Sequence, residues 1–162
     1  MWFTDRRNLL VSLAALAGCG FTPAYGPAGG ATALRGTIAP DAPTTRDEFA
    51  LTRRLAERLG PTEVARYRLA YTITATSSEQ AVTTDSITTR YLLQGEASFQ
   101  LFDIGSGAEL LSGTVESFTS WKASGTVVAS STAEDDAHLR LARILADEIV
   151  TRLLAGAASL PQ

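Results

Sequence analysis

Two stretches of strict two-residue alternation constrain this chain more than any other feature. In residues 67–76, Tyr67, Leu69, Tyr71, Ile73 and Ala75 fall on one side, and Arg68, Thr72, Thr74 and Thr76 on the other. The same period returns over residues 87–101. There Ile87, Tyr91, Leu93, Ala97, Phe99 and Leu101 oppose Thr88, Arg90, Gln94, Glu96, Ser98 and Gln100. Successive side chains of a strand point to opposite faces, so both stretches predict strands with one buried and one open face. The second is long, and Gly95 within it predicts a bend or bulge. Ile104-Gly105-Ser106-Gly107 reads as a hairpin connection rather than a nucleophile site. It leads to a strand over about 109–121, whose alternation passes through Leu111 and Val115 and slips by one at Phe118. A bulge near Glu116 is the expected cause. A short first strand is expected through Leu34, Gly36 and Ile38, stopped by Pro40 and Pro43.

Two helices fit the remaining patterned segments. Thr45-Arg46-Asp47-Glu48 has the form of a capping box, in which the Thr45 hydroxyl and the Glu48 carboxylate each accept an otherwise orphaned backbone N–H. Leu51, Leu55, Ala56 and Leu59 then form one stripe, and Gly60-Pro61 ends the helix. Ser131-Thr132-Ala133-Glu134 predicts a second capping box. After it Leu141, Ala142, Leu145, Ile149 and Leu153 line one face, Arg140, Arg143, Asp147 and Thr151 trace the other, and Gly156 is the expected stop. The order strand, helix, three strands, helix predicts a two-layer α+β fold: two helices on one face of a roughly four-stranded, mostly antiparallel sheet.

The beginning of the chain predicts an address. Arg6 and Arg7 precede a ten-residue apolar run over residues 9–18. A membrane span needs roughly 20 such residues, so the run reads as a cleaved export signal rather than an anchor. An ordinary positively charged signal is preferred to a twin-arginine one. Leu16-Ala17-Gly18-Cys19 resembles a lipobox, which makes Cys19 the expected site of lipidation; a buried apolar helix that happens to hold a cysteine is the alternative. Residues 1–18 are thus expected to be a signal peptide and 19–33, rich in Gly, Pro, Ala and Thr, a lipid-anchored tether. Residues 34–156 are expected to form one domain and 157–162 a C-terminal tail.

Charge and motif content exclude several functions. Without residues 1–18 the net charge is about −4, no footprint for nucleic acid. A lone cysteine allows no internal disulfide and no thiolate cluster. The single histidine, His138, follows Asp135 and Asp136. Acidic residues early in a helix are explained by its dipole, so His138 reads as solvated helix surface rather than a metal ligand. No nucleophile elbow, phosphate-binding glycine loop or Cys-x-x-Cys pair is present, and no enzyme, cofactor or metal is expected. The outward face remains, where Thr72, Thr74, Thr76, Thr88, Gln94, Ser98, Gln100 and Thr114 form a broad neutral hydrogen-bonding surface. Threonine favours strands, which is one account of it. A surface built to meet another polar wall, such as the interior of a large outer-membrane barrel, is the other.

Five pieces in order carry a family resemblance. They are Cys19-Gly20-Phe21-Thr22-Pro23-Ala24-Tyr25-Gly26, Thr89-Arg90-Tyr91, Phe102-Asp103, Ser120-Trp121, and Ala133-Glu134-Asp135-Asp136-Ala137. Together they make residues 19–155 resemble the LptE, or rare lipoprotein B, family of lipopolysaccharide-assembly lipoproteins. The resemblance implies a non-enzymatic lipoprotein of the outer membrane, anchored through Cys19 on the periplasmic side. It also implies a plug and assembly partner of an LptD-type β-barrel that binds lipopolysaccharide. The family has no strict site signature. Lipid phosphates call for exposed cations, and Arg68, Arg90 and Lys122, the only lysine, are the candidates near strand surfaces. An auxiliary lipoprotein of another periplasmic transport or cell-wall synthase complex is the alternative, since fold does not fix function.

Overall fold

The computed structural model describes residues 34–82, 88–123 and 126–160; the export signal, Cys19 and the tether lie outside the described residues. The elements are β1 (Ile38–Pro40), α1 (Arg46–Leu59), β2 (Tyr67–Val82), β3 (Thr88–Asp103), β4 (Glu109–Lys122) and α2 (Val127–Gly156). The strands form one four-stranded sheet in the order β1-β2-β3-β4. β1 runs parallel to β2, while β2, β3 and β4 form an antiparallel meander. The fold is the expected α+β one, with a mixed sheet in which a single pair is parallel.

Local chemistry explains most boundaries. Thr45 caps α1 by accepting from the Glu48 N–H at 3.3 Å, and Glu48 Oε2 accepts from the backbone N–H of Thr44 (2.6 Å) and Thr45 (3.1 Å). These bonds, led by the Thr44 N–H, hold the Glu48 carboxyl below its ordinary pKa. Gly60 ends α1 at φ 82°, a left-handed conformation that suits glycine. In the β3–β4 hairpin Asp103 Oδ1 accepts from the Ser106 N–H at 2.7 Å and Gly107 adopts φ 72°.

The inward residues of the meander meet the apolar stripes of both helices. Leu69, Leu93, Phe99 and Leu101 pack with Leu51 and Leu55 of α1 and Leu145, Ile149 and Leu153 of α2, all essentially without solvent contact. Burying one such side chain contributes about 1.5–3 kcal/mol. The helices run side by side in the same direction, held by Arg46–Asp135, Asp47–His138 and the Arg54–Asp147–Arg58 cluster. The chain does not leave the core at Gly156: a 3-10 turn, Ala157–Ser159, follows, and Ala157 and Leu160 are buried.

Five local expectations are corrected. The first strand begins at Ile38 rather than Leu34, because Gly36 turns the chain at φ 72° and the Thr37 N–H bonds back to the Leu34 carbonyl at 3.3 Å. β2 does not stop near residue 76; pairing with β3 carries its polar end on through Ser77, Ser78 and Glu79. Gly95 is not a bulge, since its register with β2 and β4 is unbroken. A Cβ there would lie 2.6 Å from Leu141 Cδ2, so its missing side chain admits α2. Nor is there a bulge at Glu116: pairing is continuous through Val115, Glu116 and Ser117, and Phe118 lies on the outer face. Finally, α2 starts at Val127, capped by Thr126, not at Ser131-Glu134. Inside that helix the Thr132 hydroxyl donates to the Val128 carbonyl at 2.9 Å instead of capping.

Candidate interaction surface

With both helices on the inner face, no described element covers the outer face of β2, β3 and β4. Register arranges its side chains in rows across the sheet: Thr72–Ser98–Thr114, Thr74–Glu96–Glu116 and Thr76–Gln94–Phe118. All are exposed. Ser98 and Thr114 share a hydroxyl hydrogen bond at 3.2 Å, and Gln100 Nε2 donates to Glu109 Oε2 at 2.9 Å. Thr88 also pairs here through its backbone. The face is hydrogen-bonding and nearly neutral, as its sequence predicts, and it carries two further features. Phe118 stands 68% exposed among polar neighbours, and Glu96 lies directly opposite Glu116. Strict alternation from Val115 through Thr119 to Trp121 is the signal in the sequence that places Phe118 outward.

The three candidate cations do not form one cluster. Arg90 and Lys122 are register partners across β3 and β4, both exposed, with no ion-pair partner among the described residues. On the other side of the same strands, Tyr91 stacks on Trp121 with centroids 5.0 Å apart. The Thr89-Arg90-Tyr91 and Ser120-Trp121 pieces, distant in sequence, thus meet in space. Arg68 pairs with Phe102, at the far end of β3 from Arg90, about 40 Å away at strand rise. Its guanidinium is engaged on both sides by Asp41, Nε to Oδ1 at 2.7 Å and Nη2 to Oδ2 at 2.6 Å, and these bonds raise its pKa further.

His138 is not a solvated surface residue: its Nδ1 lies 2.8 Å from Asp47 Oδ2, and both are half-buried between the helices. Asp147, expected on the open side of α2, instead accepts from Arg54 at 3.0 Å and Arg58 at 2.9 Å. Among the described residues no group of three or more His, Cys, Asp or Glu side chains is placed to hold a metal ion. No helix among them is long and apolar enough to cross a membrane.

The fold is shared with solved lipoproteins. A putative lipoprotein from Caulobacter crescentus CB15 superposes with a TM-score of 0.69 at 21% identity, over 83% of this chain and 100% of that one. Rare lipoprotein B from Shewanella oneidensis superposes with a TM-score of 0.59 at 17% identity, over 75% and 95%. A minor lipoprotein from Acinetobacter baumannii gives 0.51 at 22% identity, over 77% and 92%. No match is found among curated proteins. Residues 34–153 match the family described as LptE, lipopolysaccharide-assembly, and the chain belongs to that family of lipopolysaccharide-assembly lipoproteins.

Proposed function

We propose that this protein is the lipid-anchored plug of a lipopolysaccharide translocon in the outer membrane. In this reading Cys19 carries the acyl chains on the periplasmic side, and the domain sits within an LptD-type barrel whose assembly it assists. The open face of β2, β3 and β4 lies against the polar inner wall. The observation that carries the reading is that face: alternate residues of three strands, 14–16 residues long, turn mostly hydroxyls and amides to the outside, with no described element covering them. Water-filled barrels have polar interiors, so such a face is chemically matched to one. The protein performs no chemistry on lipopolysaccharide. It binds it, with the adjacent cations Arg90 and Lys122 meeting the phosphates and Arg68, engaged by Asp41, contributing less.

Photo-crosslinkers at Thr74 or Gln94 are expected to trap an outer-membrane barrel in cells; recovery of inner-membrane proteins alone overturns the plug. Arg90→Glu combined with Lys122→Glu is expected to weaken lipopolysaccharide binding about ten-fold or more, the loss shrinking at high salt as screening takes over. A titration identical to wild type discards both residues as contacts.

A further inference from the structure

β4 is the last strand of the sheet, so among the described residues no strand pairs with its outer edge. The direction of its backbone groups follows from bonds elsewhere in the sheet. The Asp41 N–H bonds to the Leu69 carbonyl, the Ile104 N–H to the Arg66 carbonyl, and the Asp103 N–H to the Ala108 carbonyl. In an antiparallel ladder each residue turns both its N–H and its C=O toward the same neighbour. From Leu111 onward, past the register shift at Glu109, odd-numbered residues of β4 therefore bond to β3, and Ser112, Thr114, Glu116, Phe118 and Ser120 turn theirs outward. The Ser120 carbonyl accepts from Arg140 Nη2 at 3.3 Å; the backbone groups of Ser112, Thr114, Glu116 and Phe118 have no such partner among the described residues. Proteins usually blunt such an edge with proline, lysine or a bulge. Over residues 111–121 β4 has none of these.

The side chains along this edge say what it would accept. Glu116 faces Glu96 across the sheet, an arrangement that costs stability because like charges directly opposite repel. Neither carboxylate has an ion-pair partner among the described residues. Two residues on, Phe118 leaves most of its ring in water. A strand laid along β4 would place side chains about 5 Å from Glu116 and Phe118. A cation at the first position relieves the repulsion, and an apolar group at the second covers the ring. A second copy of this chain paired about Glu116 would instead set glutamates against glutamates.

We infer that the edge of β4 over residues 112–118 binds an extended segment of a partner protein by strand addition. The segment carries a lysine or arginine beside Glu116 and an apolar side chain beside Phe118. Strand addition uses the backbone of the edge, while Glu116 and Phe118 also belong to the face proposed to meet the barrel wall; peptide binding to the chain alone and crosslinking at Thr74 or Gln94 read the two separately, so either can fail without the other.

The probe is a labelled short peptide that alternates threonine with lysine and valine, titrated against the full chain, with a lysine-to-glutamate counterpart as control. Thr114→Pro deletes an outward N–H that the β3–β4 ladder does not use, so the fold is retained, as circular dichroism checks; Thr114→Ala keeps the N–H. The lysine peptide is expected to bind, and the glutamate peptide and Thr114→Pro each to weaken binding by about ten-fold or more, with Thr114→Ala close to wild type. Amide exchange at Thr114 and Glu116 is expected to slow on binding. Absence of binding, equal binding of the two peptides, Thr114→Pro binding as well as Thr114→Ala, or unchanged exchange at those amides overturns the inference. So does a self-dimer that Thr114→Pro abolishes, which would make a second copy the occupant.

Discussion

Along β3, residues one position apart meet opposite fates. Leu93, Gly95 and Ala97 are sealed beneath α2, while Gln94 and Glu96 stand open on the other side of the same backbone. The sealed side is decided by volume. Gly95 leaves the space that Leu141 fills, Gly156 lies where a Cβ would be 2.9 Å from Leu111 Cδ2, and Gly113 admits the Phe99 ring. The open side answers to no volume among the described residues, so like charges can sit opposite each other and an aromatic ring can remain in water. The two faces thus differ in what constrains them: the inner face holds the domain together, and the outer face packs against nothing among the described residues.

That contrast can be broken by mutation. Leu141→Ala is expected to have the largest effect, about 2–5 kcal/mol in urea unfolding, from lost burial and the cavity left behind. Gly95→Ala is expected to cost about 1–3 kcal/mol, because its Cβ would press on the same leucine. The two together sharpen the point: once Leu141 is truncated, Gly95→Ala should cost little further, and additive losses would mean that the glycine is not there for the leucine. At the other extreme, Thr74→Ala, Gln94→Ala and Phe118→Ser are expected to move stability by no more than about 0.5 kcal/mol. A loss above about 1 kcal/mol from any of them would make the outer face part of the fold rather than a surface kept for binding.

Much of this contrast was legible in the sequence. The inward positions of β2 and β3, the Thr45–Glu48 cap and the apolar stripe of α2 follow from local periods and pairs. Where the reading failed, the deciding atom belonged to another element. The apparent slip at Phe118 suggests a bulge only if every apolar residue faces the core, and this one does not. Gly95 suggests local flexibility in the sequence, although its reason is a leucine 46 positions further along the chain. The ladder with β3 extends β2 beyond its apolar residues, and Thr126 starts α2 a full turn before the more conspicuous Ser131-Glu134. His138 looked solvated because its partner, Asp47, lies 91 residues away. Of the candidate cations, only register revealed that Arg90 and Lys122 are neighbours and that Arg68 stands apart.

By itself, then, the sequence determined which side of β2 and β3 is apolar, where α1 begins and ends, and the α+β class, because alternation, capping and helical stripes act between residues a few positions apart. The tertiary structure alone decided register, the placing of glycines beneath larger side chains, the ion pairs between the helices and the exposure of Phe118 and the Glu96–Glu116 pair. Each of these depends on which atoms distant segments bring within a few ångströms, a quantity that no local period contains.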